Sequence, residues 1–143
     1  MSRDKMTFEF FSEGRETRIL KIVEYQNMGL RNLYNLALGD KNLLTGEIDD
    51  KVSSNNGDRD KVLVTVAATI YTFTNQYPET RVYITGSTDT RTRLYRMGIS
   101  RFLDEITRDF VVLGEMSNKW KIFKINTTYT AFLVIRKSKF SKL

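Results

Sequence analysis

Residues 82–98 read Val-Tyr-Ile-Thr-Gly-Ser-Thr-Asp-Thr-Arg-Thr-Arg-Leu-Tyr-Arg-Met-Gly, and the rest of the chain is organised around them. Val82, Tyr83 and Ile84 suit a short buried strand. Gly86 permits a sharp turn. Ser87 or Thr88 can then cap the free amides of a helix whose first turn holds Asp89, an acidic residue placed well for the helix dipole. That helix carries Arg91, Arg93 and Arg96 in its first two turns. Strand, turn, capped helix and guanidinium groups are the parts of an anion site. Gly86, Ser87, Thr88, Arg91, Arg93 and Arg96 are therefore the candidate ligand-binding residues.

Composition removes several chemistries. The 143 residues contain no Cys and no His, so there is no disulfide framework, thiolate zinc site, Ser-His-Asp triad or Cys nucleophile. Any acid–base step falls to Asp, Glu, Lys, Tyr or the backbone. With 41% hydrophobic and 28% charged residues and a single Pro, the chain fits one compact domain. No apolar run approaches the ~18 residues that span a membrane, and the amino terminus lacks the apolar region of a signal peptide. A soluble, cytoplasmic protein with no membrane contact is the expectation. The formal charge is +6, but Arg136, Lys137, Lys139 and Lys142 all lie in the last eight residues. A nearly balanced body with a basic, frayed tail over 136–143 follows.

Taken in order, Phe8, Phe10 and Phe11 mark a first strand over 7–12, and Glu13-Gly14 a turn. Residues 18–26 alternate as a second strand, and 31–38 form a third, closed by Gly39-Asp40. Residues 41–57 are polar and aperiodic, a long loop. Its carboxylates Asp49 and Asp50, with Asp58, are candidate Mg²⁺ or Ca²⁺ ligands, although their spacing does not match a calcium loop. From 61 to 77, Val62, Leu63, Val66, Ala67, Ile70, Phe73, Thr74 and Tyr77 form a stripe at helical spacing that stops at Pro78. After the strand over 81–85 and the arginine-bearing helix, Gly98 is expected to end that helix and Ile99-Ser100 to start another. Residues 110–116 and 119–125 read as two antiparallel strands joined at Ser117-Asn118, and 130–136 as a last strand. The order is β-β-β-α-β-α-α-β-β-β. This is a single α+β domain, a mostly antiparallel sheet with one long and two short helices packed on it.

Helical geometry separates the arginines. Arg91 lies near Leu94 and Tyr95 on one face, and Arg93 and Arg96 share another. A partly covered Arg91 needs a fixed partner: a carboxylate from Asp49, Asp50 or Asp58, or an external phosphate. Arg93 and Arg96 read as a solvated face, and Ser87 and Thr88 as cap residues. The strand aromatics Phe8, Phe10, Phe11, Tyr25, Tyr34, Trp120 and Phe123 read as core. A base-stacking platform requires several of them exposed beside Lys119, Lys121 and Lys124.

Several segments occur in a characteristic order: Tyr34-Asn35-Leu36-Ala37-Leu38-Gly39-Asp40, Ser54-Asn55-Asn56-Gly57-Asp58, Lys61-Val62-Leu63, Gly86-Ser87-Thr88 and Arg91-Thr92-Arg93-Leu94-Tyr95-Arg96. Together they resemble a family of small uncharacterised bacterial proteins, which implies a fold and no catalytic residues. The sequence of helix, strand and a helix containing Leu94-Tyr95 and reaching Gly98 is also similar to the carboxyl-terminal half of acyl-CoA-dependent N-acetyltransferases. That likeness implies Tyr95 as a general acid. The family pattern has three residues between Tyr and Gly; here Arg96 and Met97 alone intervene. Asp58 and Asp60 stand where a phosphate loop is expected, and they repel coenzyme A phosphates.

Three functions remain open: a module binding a phosphate-bearing ligand, nucleotide or nucleic acid, at the helix start; a protein-interaction or homo-oligomerisation module; and an acetyltransferase-like enzyme. No cofactor is called for by the residues.

Overall fold

The structure, a computed structural model, describes residues 5–13, 18–41, 48–49 and 59–142. The phenylalanine-rich amino terminus forms strand β1 (Lys5–Glu13), which pairs antiparallel with β2 (Arg18–Asn27); β2 pairs antiparallel with β3 (Leu33–Lys41). A two-residue strand, β4 (Ile48–Asp49), lies within the segment expected as loop and adds to β3. Lys41 closes β3, and residues 42–47 and 50–57 lie outside the described residues. Helix α1 (Arg59–Gln76) carries the chain across to β5 (Arg81–Ile84), which joins β3 in parallel. Helices α2 (Asp89–Arg101) and α3 (Leu103–Asp109) lead to β6 (Phe110–Met116), β7 (Lys119–Ile122) and β8 (Ala131–Arg136). The sheet order is β1-β2-β3-β5-β8-β6-β7, with every pair but β3–β5 antiparallel. This is the expected single α+β domain, with β4 as an extra strand.

The α1 stripe faces inward as its spacing predicts. Val66 and Phe73 are buried, and the Phe73 ring stacks on Tyr25 of β2 at 4.2 Å and meets Tyr34 of β3 edge-on at 5.2 Å. Core residues alternate along each strand: Val23 and Tyr25, Leu36 and Leu38, Val82 and Ile84, Phe132 and Val134, Phe110 and Val112. Two side-chain clusters tie the layers together. The Tyr25 hydroxyl is hydrogen-bonded to Thr69 at 2.9 Å. Arg136 donates to Thr74 Oγ1 (2.8 Å), Asn75 Oδ1 (2.6 Å) and the Tyr71 carbonyl (3.2 Å).

Three expectations change. Gly98 does not end a helix; α2 runs through it to Arg101. Its missing side chain instead admits Leu63 of α1, whose Cδ1 would lie 2.8 Å from a Cβ there, so this glycine serves close helix packing. The strand expected over 119–125 stops at Ile122, where the chain leaves the ladder and the Tyr129 hydroxyl accepts from the Lys124 amide at 3.0 Å. The basic tail is not frayed over the described residues. Arg136 closes β8, and Lys137–Lys142 form a 3₁₀ helix held by a Lys139–Glu79 ion pair at 3.1 Å and a Lys137 bond to the Thr107 carbonyl at 3.2 Å. Charge alone suggested fraying; carbonyls and a carboxylate at hand reverse it.

Candidate functional site

The site follows from how β3 and β5 part. They pair in parallel from Leu33↔Arg81 to Leu36↔Ile84 and no further. Beyond that point β3 stays paired with β2 on one edge and meets β4 on the other at Asp40↔Asp49. Among the described residues, the β5-side edge of β3 therefore has no strand partner over residues 37–39. In parallel units, the ends where strands finish and helices begin form the crevice in which ligands sit. Helix α2 follows β5 directly, so its start lies at that end.

The chain leaves β5 at Thr85, whose hydroxyl donates to the Thr130 carbonyl at 2.8 Å. At Gly86 it folds back on the first turn of α2 so closely that a Cβ would stand 2.4 Å from the Thr92 nitrogen. The Gly86 amide donates to Thr92 Oγ1 at 2.9 Å. Thr88 is the N-cap, in extended conformation at φ −136° and ψ 161°, and its hydroxyl accepts the Arg91 amide at 3.2 Å. The turn and helix start thus form as expected. Thr92, which sequence reasoning passed over, has a role of its own: its hydroxyl satisfies the buried side of the turn. A threonine six residues after the turn glycine was the available signal.

Arg91 reaches into the gap between the strands. Its Nη1 donates to the Leu38 carbonyl at 2.6 Å, between the last β3–β5 pair and the first β3–β4 pair. The sequence called for a carboxylate or a phosphate as partner, and a backbone acceptor is what this bond uses. Pairing of Arg91 with Asp49, Asp50 or Asp58, and metal binding by those three, concern side chains outside those described. Among the described residues no group of three or more acidic side chains stands close enough to hold a metal ion. Asp40 is paired with Lys21 at 2.7 Å and Asp60 with Arg101 at 2.8 Å.

The two other arginines separate. Arg93 is exposed as expected. Arg96 is half-buried and directs Nη1 at the Thr127 carbonyl at 3.4 Å, so the two do not make a common solvated face. Ser87 and Thr88 are exposed beside the helix start. Tyr95, one turn beyond Arg91, is 5% exposed and belongs to the core between the sheet and the helices.

The aromatic residues divide as well. Tyr25 and Phe123 are buried, and Phe8, Phe10 and Tyr34 pack against the core. Phe11 and Trp120 are not core residues. Phe11 lies half exposed beneath the Arg18 guanidinium, 3.9 Å from its ring centre. Trp120 is 38% exposed and edge-on to Tyr83 at 6.1 Å. Lys119 and Lys121 alternate to the opposite face of β7, so they do not flank Trp120 as a stacking platform requires.

Among the described residues, no helix is long and apolar enough to cross a membrane. The molecule is an α+β domain with all but one pairing of its sheet antiparallel, and its candidate site lies where the one parallel pair opens. The chain belongs to a family of unknown function, DUF6934, whose model matches residues 1–137. Comparison with curated proteins and with solved structures finds no match.

Proposed function

We propose that this chain is a ligand-binding module whose site is the opening between β3, β4 and β5, and that its ligand carries a phosphate or another compact anionic group. One observation carries the reading: Arg91 sets a guanidinium where β3 and β5 part, next to the amino terminus of a capped helix. A guanidinium presents its donors in a planar fork that matches a compact anion. At the helix start, Thr88 takes the Arg91 amide, which leaves those of Asp89 and Thr90 as the outward pair of the first turn. Arg93 stands exposed close by. A polyanion gains from all of these at once, whereas a single phosphate also meets the Asp89 carboxylate. Nucleotides are thus weak ligands and nucleic acid a stronger one. An acyl-CoA-dependent transferase with Tyr95 as acid would use the same end of the sheet, so coenzyme A belongs among the probes.

The experiment titrates the protein with inorganic phosphate, ADP, coenzyme A and a labelled oligonucleotide at low and moderate salt. Oligonucleotide binding should fall steeply with salt and that of ADP modestly. Arg91→Ala/Arg93→Ala should abolish the former. Equal oligonucleotide affinity for parent and double variant sinks the proposal.

A second reading has its own support, that of a protein-interaction or self-association module. Strand β7 is the last of the sheet, and Ile122 (55% exposed) stands on it with Trp120, near exposed Met116 and Ile125. Apolar side chains on an open sheet edge invite strand addition. Trp120 is the only tryptophan, so its fluorescence separates the readings. A partner at β7 shifts the emission, and an anion at Arg91 leaves it unchanged. Light scattering reports self-association.

A further inference from the structure

Beneath the helices lies a cavity of about 230 Å³, bounded by α1, the junction of α2 and α3, and the inner face of β5, β6 and β8. Leu63, Ala67 and Ile70 line it from one side, and Ile99, Phe102 and Ile106 from the other. Glu105 is the one charged residue in the lining. Exposed Val64 (53%) and Glu105 mark the mouth. Polar contacts brace the space lengthwise: Asp60 of α1 pairs with Arg101 of α2 at 2.8 Å, and the Tyr71 hydroxyl of α1 donates to Asp109 of α3 at 2.6 Å.

Protein interiors hold few voids larger than a water molecule. An apolar cavity of about 150 Å³ stays dry and takes up benzene, and this one is about half as large again. Water is a poor occupant, because it needs polar partners that these walls scarcely offer. A partner helix is too long for a space braced on both sides. The Glu105 carboxylate repels an anionic head and attracts a cationic one.

We propose that this cavity binds a small apolar molecule, about the size of a fused two-ring aromatic, whose head at Glu105 is neutral or cationic. The site is separate from the opening at Arg91 and does not depend on the anion-binding reading.

The test uses methylnaphthalene, naphthylmethylamine and naphthoate, with binding located by the methyl resonances of Leu63, Ile70, Ile99 and Ile106. The neutral and cationic probes should shift those methyls, with naphthoate binding weaker than the amine by about threefold or more. Glu105→Gln should narrow that gap to within about twofold. Ala67→Phe should weaken all binding by roughly tenfold or more by filling the space. Val64→Trp, at the exposed mouth, serves the same purpose if the first variant fails to fold. Absence of methyl shifts with every probe, shifts away from the cavity, or naphthoate bound as tightly as the amine would overturn the proposal.

Discussion

The guanidinium of Arg91 and the carbonyl of Leu38 meet at 2.6 Å although 53 residues separate them in the chain. The contact fastens the start of α2 to a strand it follows in neither sequence nor pairing. It supplies a donor where β3 has lost β5 and has not yet met β4.

Arg91→Ala leaves that half-covered carbonyl without this donor. We expect a loss of about 1–3 kcal/mol in urea unfolding, the desolvation penalty of an unpaired acceptor. Arg91→Lys should recover part of it, because an ammonium can reach one carbonyl but cannot fork. An unchanged urea midpoint for Arg91→Ala means that the bond contributes nothing to stability.

Gly86→Ala places a methyl against the Thr92 nitrogen and the Arg91 carbonyl carbon and Cβ, none of which is the free end of a side chain. The turn must open, at about 1–3 kcal/mol by analogy with overpacking elsewhere. Thermal unfolding of this variant beside Thr92→Val, which removes the acceptor of the Gly86 amide, measures how much of the turn depends on each contact.

Lys21 and Asp40 sit opposite each other on β2 and β3, at 2.7 Å, with side chains only 10% and 18% exposed. Replacing one partner removes this charged hydrogen bond and should destabilise by about 1–3 kcal/mol. Lys21→Met/Asp40→Leu should restore most of that, since a largely buried pair and an apolar pair of similar volume are nearly equivalent. A double variant as unstable as the sum of the single ones counts against the pairing argument.

Burial pushes the Tyr25 phenol well above its ordinary value of 10.0, with the Thr69 hydrogen bond opposing in part. Tyr83 moves up through burial and the nearby Glu115, and Tyr71 through its bond to Asp109 and burial. A raised folded-state pKa favours the protonated form. The associated stability is whole below the unfolded value and is lost as pH climbs from there through the folded one. Urea midpoints should hold to about pH 9.5 and fall beyond it, and Tyr25→Phe should fall less steeply.

Much of the architecture was legible because it rests on periodicity. The 66, 70, 73 stripe, the stop at Pro78 and the alternation of Val82 and Ile84 read directly as helix, end and strand. Ser117 and Asn118 both adopt the left-handed region, at φ 53° and 63°, as the tight hairpin inferred there requires. The misread elements share a cause. Gly98 looked like a stop signal, and its meaning lies in Leu63, which is distant in sequence. Arg96 and Lys137 each direct donors to main-chain carbonyls. A carbonyl belongs to every residue and leaves no mark in a pattern of side chains. Trp120 resembled core until β7 proved to be the end of the sheet.

The position of β8 has a consequence for how the molecule comes into being. The final strand of the chain lies between β5 and β6, and it is the one strand that joins them. While the ribosome still holds residues 131–136, the nascent protein consists of a β1-to-β5 sheet and a separate β6–β7 hairpin, each with an open edge awaiting the same insert. A chain cut before Ala131 loses no peripheral decoration; it loses the strand that makes the two sheets one, and it offers both exposed edges to its neighbours.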